Sequence, residues 1–539
     1  MLTNRVPLPD EIEDRTVPAL LQRSVRLYPE KVALIGSSHY DGEREVTYAE
    51  LSENAGKLAT AFRSHGVARG DRVAILASNL GIVDAITAYH ASHMVGAVNV
   101  PLNGRYVQRE LTYVLDFVQP KVVVFTPEFA PLLATIFATG PKPVLLEASA
   151  SPALGMDLRA TTRDLEPLNP VALDEYEDAD WIFTSGTTGN PKAVAITHAS
   201  SVACGHQSQR LWGLTPHSIY SSSAPFFTST GCHTNLLAVL AAGCTYFCEP
   251  QFDVEQTLAN IGRHRVTSIF IISGMLELII QRHGPEALLA MDLLPLERLC
   301  YGGQPMPASF YLQVDEIFRQ KHGLELVHLY GLTEGGTSGL LIPPEQHAHA
   351  VDRAAEYGMA IGSEGFNSWI DYRIVDEHSQ TQAEGQIGEI CLRGPALMDR
   401  YVDEPEATAH ALRDGWLHTG DMGMCSDGFV FFVDRLKQMI RRGGLNISSA
   451  EVEGVIHDCP GVAEVAVVPV ANPVLGEEVG AFVVKSDDEL SKDSLLSYCR
   501  EHLADYKVPA RISFIDALPR NDMGRVVKRS LTFEELGKR

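Results

Sequence analysis

"DWIFTSGTTGNPKAV", residues 180–194, is the stretch from which the rest of the chain is read. A short apolar run at 181–183 leads into Thr184, Ser185, Gly186, Thr187, Thr188 and Gly189, and the loop closes on Pro191 and Lys192. Glycines let backbone amides turn inward, and a row of such donors beside one lysine makes a cradle for phosphate. The lysine does not follow a glycine directly, so this is not the Walker arrangement. A flexible polar linker would seldom follow a buried strand with so many small hydroxyls. The stretch therefore reads as a strand ending at an anion-binding loop.

Outward from this loop, strands and helices alternate. "VTYAELSENAGKLATAFRSHG" opens with a capping box, Thr47 to Glu50, and Val46 and Leu51 stand where a hydrophobic staple would. Leu51, Ala55, Leu58 and Phe62 then mark one helix face. "DRVAILASN" (71–79), "KVVVFTP" (121–127) and "PVLLEA" (143–148) read as short buried strands. This rhythm resumes after residue 200 and runs to about 330, which implies largely parallel sheets covered by helices. From about 358 to 434 shorter alternating pieces with Gly turns, such as "WIDYRIVD" and "GEICLRG", predict antiparallel β-structure. A second capping box, Ser448 to Glu451, opens a compact α/β unit of about 100 residues. The change of rhythm divides the chain into 1–436 and 437–539.

Composition sets limits on function. Lysines and arginines number 44 against 68 acids, a net charge of −24, which disfavours nucleic acid and anionic membrane as partners. Any anionic ligand must be held by local amides and a few placed cations. The nine cysteines are scattered without metal spacing and read as free thiols of a reducing compartment. The N-terminus has no apolar core and turns acidic at once, unlike a signal peptide. "SIFIISGMLELII" (268–280) is too short to span a bilayer, and the chain reads as cytoplasmic.

Four other segments carry weaker signals. "YGGQPMP" (301–307) is a Gly–Pro turn. "LVHLYGLTEGG" (326–336) ends a strand with Tyr330, which can lie flat on a base, Thr333, which can bond a phosphate, and Glu334, a hard ligand suited to Mg²⁺. "DGWLHTGDMG" (414–423) puts Asp421 after a tight turn, where it can accept bonds from ribose hydroxyls or merely cap the turn. "DRLKQMIRRGGLNISSAEVE" (434–453) has the look of a basic hinge, with Arg435, Lys437, Gly443 and Gly444.

In this order and at this spread, "TSGTTGNPK", "YGLTE", "GWLHTGD" and "DRLKQMIRRGGLN" resemble the motifs of the AMP-forming adenylating superfamily of acyl-CoA synthetases, peptide-synthetase adenylation domains and luciferases. The resemblance implies an α/β fold: a large N-terminal domain of two α/β sheets plus a small β-barrel, then a small mobile α/β C-terminal domain. It implies ATP, Mg²⁺ and CoA as reactants and cofactors, with an acyl-AMP intermediate. The loop 184–189 with Lys192 would take the β- and γ-phosphates. Gly302, Gly303 and Gln304 would form one wall of the adenine slot and Tyr330 the other. Thr333 would contact the α-phosphate, Glu334 would hold Mg²⁺, and Asp421 and Arg435 would hold the ribose. Lys437 falls at the hinge, and Gly443 and Gly444 would let the pantetheine arm pass.

Two positions depart from the family's pattern. In "SSAPFFTSTGCHTN" (222–235) the position after Phe227 is Thr228 where a histidine is usual, and the nearest histidine is His233. Phe227, Thr228, His233, Gly303, Gly331, Gly339 and Leu340 are the expected acyl-pocket residues, small and uncharged enough for an apolar, medium-sized or cyclic acid. In "PRNDMGRVVKR", register on the proline and glycine puts Arg525 where the family carries its catalytic lysine, with Lys528 three residues on. Arginine keeps the charge but differs in shape, hydration and reach. The leading expectation is an acyl-CoA ligase that runs both half-reactions. The alternatives are a non-adenylating member fed acyl-AMP by a partner enzyme, an enzyme that loads a carrier protein in trans, and a degenerate nucleotide-binding regulator. A partner enzyme or a second copy of the chain is the macromolecular partner these readings allow.

Overall fold

A computed structural model describes residues 5–139, 142–184, 191–304, 306–336, 339–363, 369–436, 438–442, 445–520 and 526–533. The capping box forms as the sequence predicts: Glu50 N donates to Thr47 Oγ1 at 3.2 Å and Thr47 N to Glu50 Oε2 at 2.8 Å. Val46 and Leu51, the staple residues, are both buried. The helix Tyr48–Ser64 packs its Leu51, Ala55, Leu58 and Phe62 face into the main core.

Two eight-stranded sheets form the bulk of the chain. One runs in the order Leu340–Ile342, Glu325–Tyr330, Arg298–Gly302, Ser268–Ile272, Ile219–Ser222, Thr245–Cys248, Val32–Ser38, Gly42–Thr47, parallel except at its two edge pairs. The other runs Arg400–Tyr401, Lys192–Thr197, Asp178–Thr184, Val98–Pro101, Arg72–Leu76, Val122–Phe125, Val144–Glu147, Met156–Asp157. Its central strands are parallel, and Asp178–Thr184 and Lys192–Thr197 form an antiparallel pair around the opening loop. The third sheet has six strands, is antiparallel, and stands where the small barrel is expected. A fourth sheet, built from Ile440–Arg442, Leu445–Ile447, Val462–Asn472, Gly476–Lys485 and Arg511–Phe514, has its own core around Val452, Val467, Val483 and Leu495.

The second capping box forms by half. Ser448 Oγ accepts from Glu451 N at 3.1 Å, but the Glu451 carboxylate is engaged by Lys507 at 2.5 Å. Asp434, at the end of the third sheet, supplies a further cap. Its Oδ2 accepts from Ser449 N at 2.5 Å and lies 3.3 Å from Ala450 N, so a buried carboxylate stands at the positive end of the helix Ser449–His457. The far end of that helix meets the large unit, where His457 Nε2 lies 3.4 Å from Glu277 and Ser309 Oγ donates to Asp458 at 2.5 Å.

One carboxylate is buried where the two large sheets and their helices meet. Asp180, with no exposed surface, accepts from Asn99 Nδ2 at 2.7 Å and faces His233 Nε2 at 2.8 Å and His93 Nε2 at 3.4 Å. Tyr89 and Ser201 hydroxyls point at it from 3.5 and 3.4 Å. Burial pushes this carboxyl upward, but the facing His233 and His93 outweigh burial and hold it below the usual carboxylate range.

Two expectations follow. Removing a group from a buried charged cluster leaves its partners unsatisfied, at a cost of about 3–5 kcal/mol. Asp180→Ala should therefore lower the main unfolding transition in scanning calorimetry, and an unchanged transition would contradict this assignment. Because the folded carboxyl titrates low, that stabilisation is present above the ordinary carboxylate value of about 4 and fades only as pH falls below it. His457 behaves oppositely. Its hydrogen bond to Glu277 raises its pKa, so the contact is fully present below the ordinary imidazole value of about 6.5 and is lost as pH rises through the raised one. Paired fluorophores on the two units should report looser docking at pH 9 than at pH 6 in the parent and no such difference in Glu277→Gln; equal pH dependence in both would contradict the contact's role.

Candidate active site

Four parallel strands lie side by side in the order Glu325–Tyr330, Arg298–Gly302, Ser268–Ile272, Ile219–Ser222. Their carboxyl ends deliver Tyr330, Gly302, Ser273 and the segment from Ser223 to one edge, the place where open α/β sheets bind ligands. Gly302 lets this edge close: a Cβ there would stand 2.1 Å from Leu329 O. Gly303 follows at φ +83°, a left-handed conformation that glycine adopts without strain. The Gln304 side chain lies against Gly274 at the start of the helix Ser273–His283, where a Cβ would meet Gln304 Oε1 at 2.9 Å.

The predicted ribose residues come together. Asp421 and Arg435 are cross-strand partners in the third sheet, with Arg435 Nε 3.7 Å from Asp421 Oδ1. Tyr330 donates its hydroxyl to Asp421 Oδ2 at 2.7 Å, which ties the parallel sheet to the antiparallel one. Glu389, which carried no sequence signal, holds the turn before Asp421. Its Oε1 accepts from Gly420 N at 2.9 Å and its Oε2 faces His418 Nδ1 at 2.8 Å. With Cys391 these two form a group spaced like metal ligands, but the guanidinium of Arg413, 3.3 Å from Glu389 and 2.9 Å from His418, already supplies the positive charge there.

Thr333 and Glu334 begin the short helical turn after Tyr330. Thr333 Oγ1 lies 3.0 Å from Ser229 Oγ, a residue that the motif reading passed over. Glu334 Oε1 accepts from the Tyr401 hydroxyl at 2.9 Å, and Lys192 Nζ stands 5.2 Å from the centre of the Tyr401 ring. Glu334 is half-buried, and burial raises its pKa; among the described residues no ion pair engages it. A carboxylate short of positive charge beside hydroxyl oxygens is a donor set that suits a hard divalent cation.

The residues expected to line an acyl pocket are arranged less simply. Phe227 is half-exposed beside this edge. Thr228 donates to Pro225 O at 2.7 Å and accepts from Gly231 N at 3.0 Å, so its hydroxyl closes a local turn. His233 is wholly buried and its Nε2 is taken by Asp180. Gly339 N bonds Tyr330 O at 3.1 Å, leaving Gly331 between the paired ends, and Leu340 is buried against Gly362. Ser185, Gly186, Thr187, Thr188, Gly189, Lys437, Gly443, Gly444 and Arg525 lie outside the described residues. Thr184 and Lys192, which pair across the two strands, bracket the stretch expected to bind phosphate. Lys528, the neighbouring cation, bonds Ser449 Oγ at 2.8 Å and Glu453 Oε1 at 2.7 Å.

Known proteins share this fold. Residues 21–402 match the AMP-binding enzyme family and residues 451–525 the AMP-binding enzyme C-terminal domain. A feruloyl-CoA synthase from Amycolatopsis is 34% identical over 90% of this chain and 93% of its own. A Mycobacterium tuberculosis CoA ligase for a methyl-dioxo-octahydroindenyl propanoate is 34% identical over 97% of this chain and 99% of its own. Among solved structures, the amide bond synthetase McbA from Marinactinospora thermotolerans superposes with a TM-score of 0.82 at 28% identity, covering 95% of this chain and 98% of its own. The o-succinylbenzoate CoA synthetase of Bacillus subtilis with its acyl-adenylate superposes with a TM-score of 0.80 at 26% identity, covering 96% and 98%. The chain belongs to the AMP-binding enzyme family, as an AMP-forming acid–thiol ligase of the acyl-CoA synthetase type.

Proposed function

We propose that this enzyme joins an apolar, medium-sized or cyclic carboxylic acid to CoA in the cytoplasm, using ATP and Mg²⁺. The observation that carries the reading is the meeting of Tyr330, Asp421 and Arg435 beside Thr333 and Glu334 at one strand edge. Relatives named for feruloyl and bicyclic propanoyl substrates support an acid of this class. In the first half-reaction a carboxylate oxygen attacks the α-phosphorus and pyrophosphate leaves. In the second, the CoA thiol, losing its proton, attacks the acyl carbon and AMP leaves with the bridging oxygen.

The roles follow from chemistry and position. Asp421 and Arg435 hold the ribose hydroxyls, while Tyr330 and the 302–304 turn enclose the base. Thr333 donates to the α-phosphate, and Lys192 with the 184–189 loop takes the β- and γ-phosphates. Glu334 would hold Mg²⁺, whose charge offsets that of the phosphates. The chain turns about Lys437, with residues 1–436 on one side and 437–539 on the other, and Gly443 and Gly444 admit the pantetheine arm in the rotated arrangement.

Arg525 is the proposed cation for the carboxylate in the first half-reaction. Lys528 does not stand in for it in this arrangement, because its Nζ is spent on Ser449 and Glu453. That observation also favours a second reading, in which adenylation is slow and a partner enzyme supplies acyl-AMP. Misplacement of about 1 Å can cost roughly 10²-fold in such a displacement.

Acid-dependent ATP–pyrophosphate exchange, run beside thioester formation from synthetic acyl-AMP and CoA, tests both readings. The main reading predicts exchange and thioester formation together. Thioester formation with little exchange, restored by Arg525→Lys, supports the second reading. Loss of both with nucleotide still bound would contradict the ligase assignment.

A further inference from the structure

We propose that Tyr401 is a positioning residue that holds Glu334 and Lys192 in register, so that the metal-binding carboxylate and the phosphate-binding cation meet one triphosphate together. This rests on reading Glu334 as the metal ligand and Lys192 as a phosphate contact. Tyr401 is 67 residues from Glu334 in sequence, and no motif brings it to notice.

The segment that carries it is tied on two sides. Arg400 and Tyr401 pair with Ala195 and Val194, on the strand that starts at Lys192. Asp399 N and Val402 N each bond to that strand, at Ala195 O and Ala193 O, both at 2.9 Å. On its other side Met398 N donates to Glu334 O at 2.8 Å. The backbone of 398–402 therefore bridges the return limb of the phosphate loop and the turn that holds Glu334, and its geometry does not depend on Tyr401's own side chain.

The side chain adds two directed contacts to this bridge. Its hydroxyl donates to Glu334 Oε1 at 2.9 Å, which fixes the carboxylate's rotation and leaves the second oxygen for a metal. Its ring carries the Lys192 ammonium 5.2 Å from the centroid. A cation on that face is attracted by the ring and draws electron density from the phenol, which strengthens the hydroxyl as a donor to Glu334. Losing a partner that orients a metal-ligating carboxylate in this way typically costs about 10- to 100-fold in metal affinity or activity.

Two substitutions separate the contacts. Tyr401→Phe removes the hydroxyl and keeps the ring under Lys192; Tyr401→Leu removes both. Binding of Mn²⁺ in the presence of ATP, without acid, is read by electron paramagnetic resonance beside steady-state kinetics. Tyr401→Phe should weaken Mn²⁺ by about 10-fold while the KM for ATP at saturating Mn²⁺ changes little. Tyr401→Leu should also raise that KM. Parent-like Mn²⁺ affinity in Tyr401→Phe overturns the proposal. Glu334→Gln tells the two levels apart. If it loses Mn²⁺ while Tyr401→Phe does not, only the role of Tyr401 fails; if it keeps Mn²⁺, the reading of Glu334 fails and the proposal with it.

Discussion

The buried carboxylate of Asp180 is the constraint on which the large unit depends. A charge without solvent contact persists only if its neighbours satisfy it, and here they come from separate elements. His93 lies on the helix Ile82–Met94, Asn99 on a strand of the same sheet, Ser201 on the helix His198–Leu211, and His233 on the turn Thr230–Asn235 that follows the other sheet. Satisfying Asp180 fixes these elements against one another. Asp180 also lies four positions before Thr184, the last residue of its strand, and His233 four positions after Ser229, which meets Thr333. The same network that joins the sheets thus sets the spacing between Thr184 and Ser229.

The site exists because three sheets end at one place. The parallel sheet presents Tyr330, Thr333 and Glu334; the second sheet presents Lys192 and Tyr401; the antiparallel sheet presents Asp421 and Arg435. Short polar contacts tie the parallel sheet to each of the other two, Tyr330 to Asp421 and Tyr401 to Glu334. The fourth sheet joins this assembly through Asp434 at one end of a helix and His457 with Asp458 at the other. The exposed members of these contacts are individually weak.

Local features of this design were legible in the residues. The Thr47 capping box, the buried strands at 72–76, 122–125 and 144–147, and the change to antiparallel pairing after 358 all depend on neighbours a few positions apart. The grouping of Tyr330 with Asp421 and Arg435 was legible only through motif resemblance, since 91 residues separate Tyr330 from Asp421. Tyr401, Glu389 and Asp434 were not legible at all, because their partners are fixed by sheet packing and no periodicity marks them. His233 shows the converse. Its place after an aromatic segment suggests a pocket wall, yet Asp180, 53 residues earlier, claims its imidazole.

The central chemical claim is an acyl-adenylate, and the fate of one oxygen tests it most directly. An acid labelled with heavy oxygen in both carboxylate positions should pass one labelled oxygen to AMP and none to pyrophosphate when turned over with ATP, Mg²⁺ and CoA, as read by mass spectrometry. Labelled inorganic phosphate formed with ADP, or thioester formed with unlabelled AMP, would contradict it.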